Sequence, residues 1–285
     1  MNGKAHISRA FIYAVLVLFA LYFLVPLYVM VATSFKDVEQ LRAGNLLTLP
    51  SHPTFAPWIK AWSEACTGVR CEGMRPFFMN SVRMVIPAVL LSTLLGAFNG
   101  YVLTHWRFRG ADAVFTMLMV GCFIPFQAIL LPMARLEGLL GISNTTTGLV
   151  AVHVIYGIAF TTLFFRNFYV SVSPELVRAA RIDGAGFFTI FTKILLPVSL
   201  PILMVCLIWQ FTQIWNDFLF GVIFAGADSM PITVALNNLV NTSEGTKEYN
   251  VDMAAAIIAA LPTLIIYIMA GRYFVRGLTA GAVKG

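Results

Sequence analysis

A chain of 285 residues that is 59% hydrophobic and only 11% charged is not an ordinary soluble domain, in which about a quarter of residues are charged. Its net charge of +6 comes with no basic stripe interleaved with aromatics on a soluble face, which excludes a nucleic-acid reading. No Gly-x-x-x-x-Gly-Lys-Ser/Thr loop, nucleophile elbow or His-Glu-x-x-His pair occurs, so the chain offers no ATP-cradling, hydrolase or zinc-protease motif of its own.

Six blocks contain no Asp, Glu, Lys or Arg: 10–35, 84–104, 113–134, 138–165, 194–216 and 253–271. About 20 apolar residues of helix cross a bilayer, whereas barrel strands need only about 9–11. Lipid permits no other spanning backbone. The expected fold is therefore all-α and integral to the membrane, with six transmembrane helices in a single domain over 1–285.

The first helix is predicted over 10–33. Lys4 and Arg9 precede it like a leader, but Ala10–Phe35 exceeds a signal peptide's usual h-region of about 7–15 residues, and no clear small-x-small cleavage site follows. A segment rich in turn formers leads to Pro76, with Trp58 and Trp62 spaced for one face of a short interfacial helix. Helix two is predicted over 77–104, followed by the basic turn His105–Asp112. Helix three covers 113–131, with a short outer loop over 132–145, and helix four covers 146–165. A polar inner stretch fills 166–197. Helix five runs over 198–224, a second outer segment over 225–252, and helix six over 253–271 before a short tail.

Charge sets the orientation. Lys4, Arg9, Arg107, Arg109, Arg166, Arg178, Arg181, Lys193, Arg272, Arg276 and Lys284 all fall on the side that holds both ends. The positive-inside rule makes that side, and both termini, cytoplasmic. Cys66 and Cys71 then lie outside, in a compartment that is oxidising in a bacterium, and are candidates for a disulfide. They have no neighbouring Cys or His to complete a zinc site, and no metal site is expected. Cys122 and Cys206 sit inside apolar helices and read as small buried hydrophobes.

The inner stretch carries the motif. Ser173-Pro174-Glu175 reads as a helix start, with Ser as cap, Pro in the first turn and an acid at the positive end of the dipole. Leu176, Ala179, Ala180 and Ile182 are expected to form a small apolar ridge, and Asp183-Gly184 to stop the helix. The two alanines and Gly184 leave a thin surface that another protein can approach, where a helix built to lie on lipid would carry bulkier residues.

Ala179, Ala180, Gly184, Ile194, Leu196 and Pro197, with Asp183-Gly184-Ala185, resemble the cytoplasmic coupling loop of the permease subunits of bacterial carbohydrate ABC importers. Trp215-Asn216-Asp217-Phe218 and the ending Gly277–Gly285 also agree, so the resemblance covers the whole chain. It is nearest to the G-type permease of maltose importers, and the outer-loop and tail wording to glucose/mannose importers. It implies a type I importer permease fold in the bacterial inner membrane. The implied partners are a second permease, two ATPase subunits holding ATP and Mg, a periplasmic sugar-binding protein and membrane lipid. No cofactor is implied on this chain. Glu175, Arg178, Ala179, Ala180, Asp183, Gly184, Ala185, Leu196 and Pro197 would couple to the ATPase. The family's acid before the alanine pair is Arg178 here, and Glu175 one turn earlier is the candidate substitute.

Helix five carries Gln210, Gln213, Asn216 and Asp217. Gln210, Gln213 and Asp217 are spaced to share one helix face, and polar residues in a span face the bundle interior or a water path. With Trp209 and Trp215 beside them they are candidate sugar-path residues, against the alternative of interhelical hydrogen bonding. Asn80, Asn99, Gln127 and His153 read as structural polar groups. By resemblance, Asn241, Thr242, Glu244, Lys247 and Tyr249 belong to a loop that enters the binding protein. Thr279, Lys284 and Gly285 belong, by the same resemblance, to a tail that reaches the ATPases. The expected function is passage of a sugar, a monosaccharide such as glucose or mannose, by alternating access. The alternatives are a disaccharide or glycerol phosphate permease, a stand-alone channel or secondary transporter, and an intramembrane enzyme using Asp217 or His153.

Overall fold

The computed structural model describes residues 2–68, 70–106, 108–241 and 247–282, with backbone alone for 2–8 and 271–282. In chain order the helices are α1 (Asn2–Ser34), α2 (Val38–Arg42), α3 (Ala56–Ser63), α4 (Arg75–His105), α5 (Ala111–Phe123), α6 (Phe126–Leu140), α7 (Thr146–Ser171) and α8 (Pro174–Ile182). They continue as α9 (Phe187–Val198), α10 (Leu200–Trp215), α11 (Leu219–Phe224), α12 (Ile232–Asn241) and α13 (Tyr249–Ala282). A small hairpin, β1 (Cys66–Thr67) and β2 (Arg70–Cys71), lies between α3 and α4.

Four helices among the described residues are long and apolar enough to cross a membrane: Arg9–Ser34, Arg75–His105, Thr146–Ser171 and Tyr249–Ala270. Two further pairs qualify only if each bent pair counts as one span, α5 with α6 at 107° and α9 with α10 at 78°. These bends correct the expected third and fifth helices. Ile124 is extended (φ −67°, ψ 122°) because the proline that follows it disfavours the helical region, and α6 restarts behind Pro125. Pro132, expected to open a loop, lies inside α6, which runs to Leu140. The fifth helix turns at Ser199, just before Pro201, and α10 ends at Trp215 rather than continuing to 224. The expected inner loop of 166–197 is also mostly helical, since α7 runs to Ser171 and α9 starts at Phe187.

The chain forms two compact units, Met1–Pro76 with Ala235–Ala260, and Phe77–Val234 with Leu261–Gly285. In the first, α1 is exposed from Arg9 to Tyr28, while Thr33 and Ser34 at its end and Lys36 just beyond it are buried. The buried Lys36 ammonium donates to the Asn45 carbonyl at 3.0 Å, and Asn250 donates to the Lys36 carbonyl at 2.8 Å. Asp37 caps α2 through the Gln40 N–H at 2.8 Å, and that bond holds its carboxyl below the usual carboxylate range. A disulfide joins Cys66 to Cys71 across the hairpin. Next to it the Gly73 N–H donates to Ala65 O and the Met74 N–H to Ala61 O, at 3.0 and 2.8 Å.

The second unit is built on α4 against α7. Ser92 and Gly96, four residues apart on α4, provide the small surface that lets two membrane helices approach. A Cβ on Gly96 would stand 2.2 Å from Thr161 Oγ1, and Thr161 Oγ1 donates to the Ser92 carbonyl at 2.8 Å. Asn80 and Asn99 are structural, as expected. Asn80 donates to the carbonyls of Asp228 and Met230, and Asn99 to Thr162.

Candidate functional site

Ser173 starts α8 by accepting the Glu175 N–H at 3.3 Å, and its hydroxyl bonds the Glu175 carboxylate in return. That bond, helped by Arg178, holds the exposed Glu175 carboxyl below its ordinary range. The helix ends in a Schellman turn. Ala185 N–H donates to Ala180 O at 2.9 Å and Gly184 N–H to Arg181 O at 3.1 Å, with Gly184 left-handed at φ +81°. Gly184 is therefore set by backbone geometry, and nothing in the chain lies within 4 Å of where its Cβ would be.

The apolar ridge differs from expectation. Val177 and Ala180 turn inward, into a buried cluster with Tyr101 of α4, Phe165 and Tyr169 of α7, Ile190 and Leu195 of α9, and Cys206 of α10. Leu176, Ala179 and Ile182 turn outward, and Ile182 is 86% exposed. Ala179 and Ala180 thus have opposite roles. Arg181 places its guanidinium 5.6 Å above the Trp106 ring and donates to His105 O at 3.4 Å, anchoring α8 on the end of α4. Arg178 and Asp183 are exposed, Ala185 and Leu196 half-buried, and Pro197 exposed. The result is a helix held on one side by a core that includes α10 and bare on the other.

At the far end of α10 lies a cavity of about 610 Å³, within the size range of small-molecule sites. It forms where α10 stops and α11 begins. Irregular backbone at membrane depth is tolerated where it lines such a cavity. Its wall includes Phe126, His153, Tyr156, Phe160, Trp209, Thr212, Gln213, Asn216, Asp217 and Phe220. No Lys, Arg, Ser or Cys lines it among the described residues. Gln213 and Asn216 are exposed to it.

Two of the expected sugar-path residues have structural work. Gln210 is 2% exposed and donates to Ser92 Oγ at 2.6 Å. It fills the space beside Gly157, where a Cβ would stand 2.1 Å from its Nε2. Asp217 lies beyond the end of α10, so the predicted helical face of 210, 213 and 217 does not continue to it. Its carboxylate instead accepts the Phe220 and Gly221 N–H groups, at 3.3 and 3.1 Å, at the start of α11. Trp215, expected beside the path, is buried against Phe78 and Phe211, whereas Trp209 does line the cavity. His153, read as a structural polar residue, comes from α7 to within 3.8 Å of Asp217. No pattern within one helix signals a neighbour on another. The Thr212 hydroxyl, also in the cavity wall, donates to Ile208 O at 2.8 Å.

In the outer segment, Asn241 donates to Asn237 O at 2.8 Å, Lys247 pairs with Asp252 at 3.3 Å, and Glu248 pairs with Lys60. Tyr249 is exposed. Thr242, Glu244, Lys284 and Gly285 lie outside the described residues. Thr279 lies in α13, where only the backbone is described.

A family model described as "Binding-protein-dependent transport system inner membrane component" matches residues 88–279. A probable ABC transporter permease protein of Pyrococcus horikoshii is 39% identical over 279 residues, covering 98% of each chain. The xylose/arabinose import permease protein XacI of Haloferax volcanii is 33% identical, covering 97% of this chain and 94% of its own. Among solved structures, a chain of a bacterial ABC transporter involved in import of the acidic polysaccharide alginate matches with a TM-score of 0.82 at 20% identity, covering 95% of this chain and 98% of that one. That last likeness shows the fold alone.

Proposed function

Because the chain belongs to the family of binding-protein-dependent transport system inner membrane components, we propose that it is the permease subunit of an ATP-driven sugar importer in the cell's inner (plasma) membrane. It spans the membrane six times, counting each bent pair once, with both termini cytoplasmic. It pairs with a second permease. Two separate ATPase subunits hold ATP and Mg and dock on α8, and an external binding protein delivers the sugar. Outer residues Asn241, Thr242, Glu244, Lys247 and Tyr249 meet the binding protein, and the tail with Thr279, Lys284 and Gly285 meets the ATPases.

The bare outer face of α8, carrying Leu176, Ala179 and Ile182 beside an otherwise well-anchored helix, supports this reading most directly. Movement of α8 by the ATPases is passed through Val177, Ala180 and Leu195 to Cys206 on α10. The other end of α10 carries Gln213 and the cavity, so nucleotide-driven closure below alters access above. Among possible cargoes, a neutral monosaccharide, glucose or mannose, fits a cavity with no Lys or Arg among the described residues of its wall better than glycerol phosphate does. The name of the relative from Haloferax volcanii points to monosaccharides as well.

The test is reconstitution in vesicles with the subunits that co-purify and an external binding protein. A panel of D-glucose, D-mannose, D-xylose, maltose and glycerol 3-phosphate is offered. ATP-dependent uptake led by D-glucose or D-mannose is expected. Purification with no ATPase subunit, or uptake that continues without ATP, overturns the reading.

A further inference from the structure

We propose that His153 and Asp217 act as one hydroxyl-reading pair, selecting a particular hydroxyl of a neutral, hydroxyl-rich ligand in the cavity of this chain. The proposal rests on the importer reading for its ligand class, and goes beyond it by assigning sugar recognition to this subunit and to a residue on α7.

The geometry is that of an incomplete hydrogen-bond site. His153 is 5% exposed and lines the cavity, yet its buried Nε2 has no hydrogen-bond partner. Such a group costs free energy unless something completes it. Asp217 Oδ2 is 3.8 Å away, too far for a direct bond. One hydroxyl beside the gap reaches both atoms, donating its proton to the carboxylate while accepting from the imidazole Nε2–H. Asp217 is held in place by the Phe220 and Gly221 N–H groups, at 3.3 and 3.1 Å. These bonds fix the carboxylate and leave each oxygen with a further lone pair. The His153 ring is fixed from the side by Phe220, with centroids 5.3 Å apart in an edge-to-face contact.

The surroundings match a sugar. Trp209, Tyr156 and Phe160 supply flat apolar faces, and Gln213 and Asn216 supply amides. Aromatic walls with a few placed polar groups are the usual construction of small-ligand sites. Among the described residues neither Lys nor Arg lines the wall, which disfavours an anionic ligand.

The experiment uses the full chain purified with its co-purifying subunits. Cys122 is replaced by alanine, the fully buried Cys206 is kept, and Thr212→Cys provides a reporter in the cavity wall. Its maleimide labelling rate is measured against D-glucose, D-mannose and their monodeoxy analogues. The sugar is expected to slow labelling, and one deoxy analogue to protect at about tenfold or higher concentration. In His153→Phe and Asp217→Asn the parent sugar should weaken to the level of that analogue, so that the two losses are not additive. His153→Gln, which keeps a hydrogen-bonding amide, should recover part of the difference. Equal labelling of all variants without sugar shows that each is folded.

Additive losses, as a water alone in the gap would produce, overturn the pair while leaving the cavity as a sugar path. Absence of protection by every sugar overturns the proposal, and ATP-dependent sugar uptake in the same preparation then leaves the importer reading standing. Absence of uptake defeats that reading separately.

Discussion

The Ala185 N–H donates to the Ala180 carbonyl at 2.9 Å across Gly184, which holds φ at +81°. This one turn ends α8 and presents its outer face. A residue with a Cβ in the left-handed region loses roughly 1–2 kcal/mol, and Asn tolerates that region better than β-branched residues do. Gly184→Asn should therefore keep sugar-stimulated ATP hydrolysis near the parent level, and Gly184→Val should lose most of it while the subunits still co-purify. Gly184→Trp, whose Cβ carries the left-handed strain but meets nothing within 4 Å in the chain, tests the docking surface when read against Gly184→Asn. If a bulky side chain leaves stimulated hydrolysis intact in vesicles, α8 is not the docking element.

Gln210 and Gly157 should behave as one unit. Gln210 donates to Ser92 Oγ at 2.6 Å, and a Cβ on Gly157 would displace it. Interhelical hydrogen bonds in membranes contribute on average about 0.6 kcal/mol, reaching about 1.7. Gln210→Ala and Gly157→Ala should each lower the thermal unfolding midpoint of the detergent-solubilised complex. The double variant should fall short of the sum, because both changes remove the same contact. Additive losses would show that Gly157 packs against something other than this amide.

The long helices could be read from charge-free runs because length and hydropathy suffice to recognise a span. Their breaks could not, since a run without charges records how far a segment extends but not its direction. Pro125 and Pro201 were the local signals for the bends after Ile124 and at Ser199, yet prolines 26, 87 and 262 lie inside continuous helices, so proline alone does not mark a break. The same limit affected the cavity. Gln210, Gln213 and Asp217 share one face only in an unbroken helix, and the stop at Trp215 makes Asp217 a helix-capping group. In α8 the cap, the stop and the exposed apolar residues were visible in sequence, but the inward turn of Val177 and Ala180 depended on Tyr101, Phe165 and Leu195, far away along the chain.

The Cys66–Cys71 disulfide closes the hairpin beside α3. A loop this short gives at most about 2 kcal/mol by chain entropy, so the effect of reduction should be local. Hydrogen exchange should accelerate at the Gly73 and Met74 amides, which bond Ala65 O and Ala61 O. Amides of α4 and α7 should stay protected. Because Lys60 on α3 also pairs with Glu248 at the edge of the outer segment, Cys71→Ser should weaken binding-protein docking more than it changes basal ATP hydrolysis. Unchanged exchange at Gly73 and Met74 would remove the disulfide's structural role.

Arg178 is exposed on α8, one turn from Glu175, whose carboxyl is held low by the Ser173 hydroxyl. The outer face therefore carries a full negative charge at its start and a positive charge in its middle at neutral pH. A docking ATPase should be acidic where it meets Arg178 and basic, or rich in N–H donors, where it meets Glu175. Arg178→Glu should reduce sugar-stimulated hydrolysis by about tenfold if the contact is close and desolvated, while Arg178→Lys should keep most of it. The sign test is a compensating reversal. Replacing the facing acid of the ATPase by Lys should restore coupling to Arg178→Glu and impair the parent. High salt should weaken the parent complex only slightly if the pair is buried by docking, and strongly if it stays at the rim. Equal activity of Arg178→Glu and the parent at low salt would show that α8 docks by shape alone, through Leu176, Ala179 and Ile182.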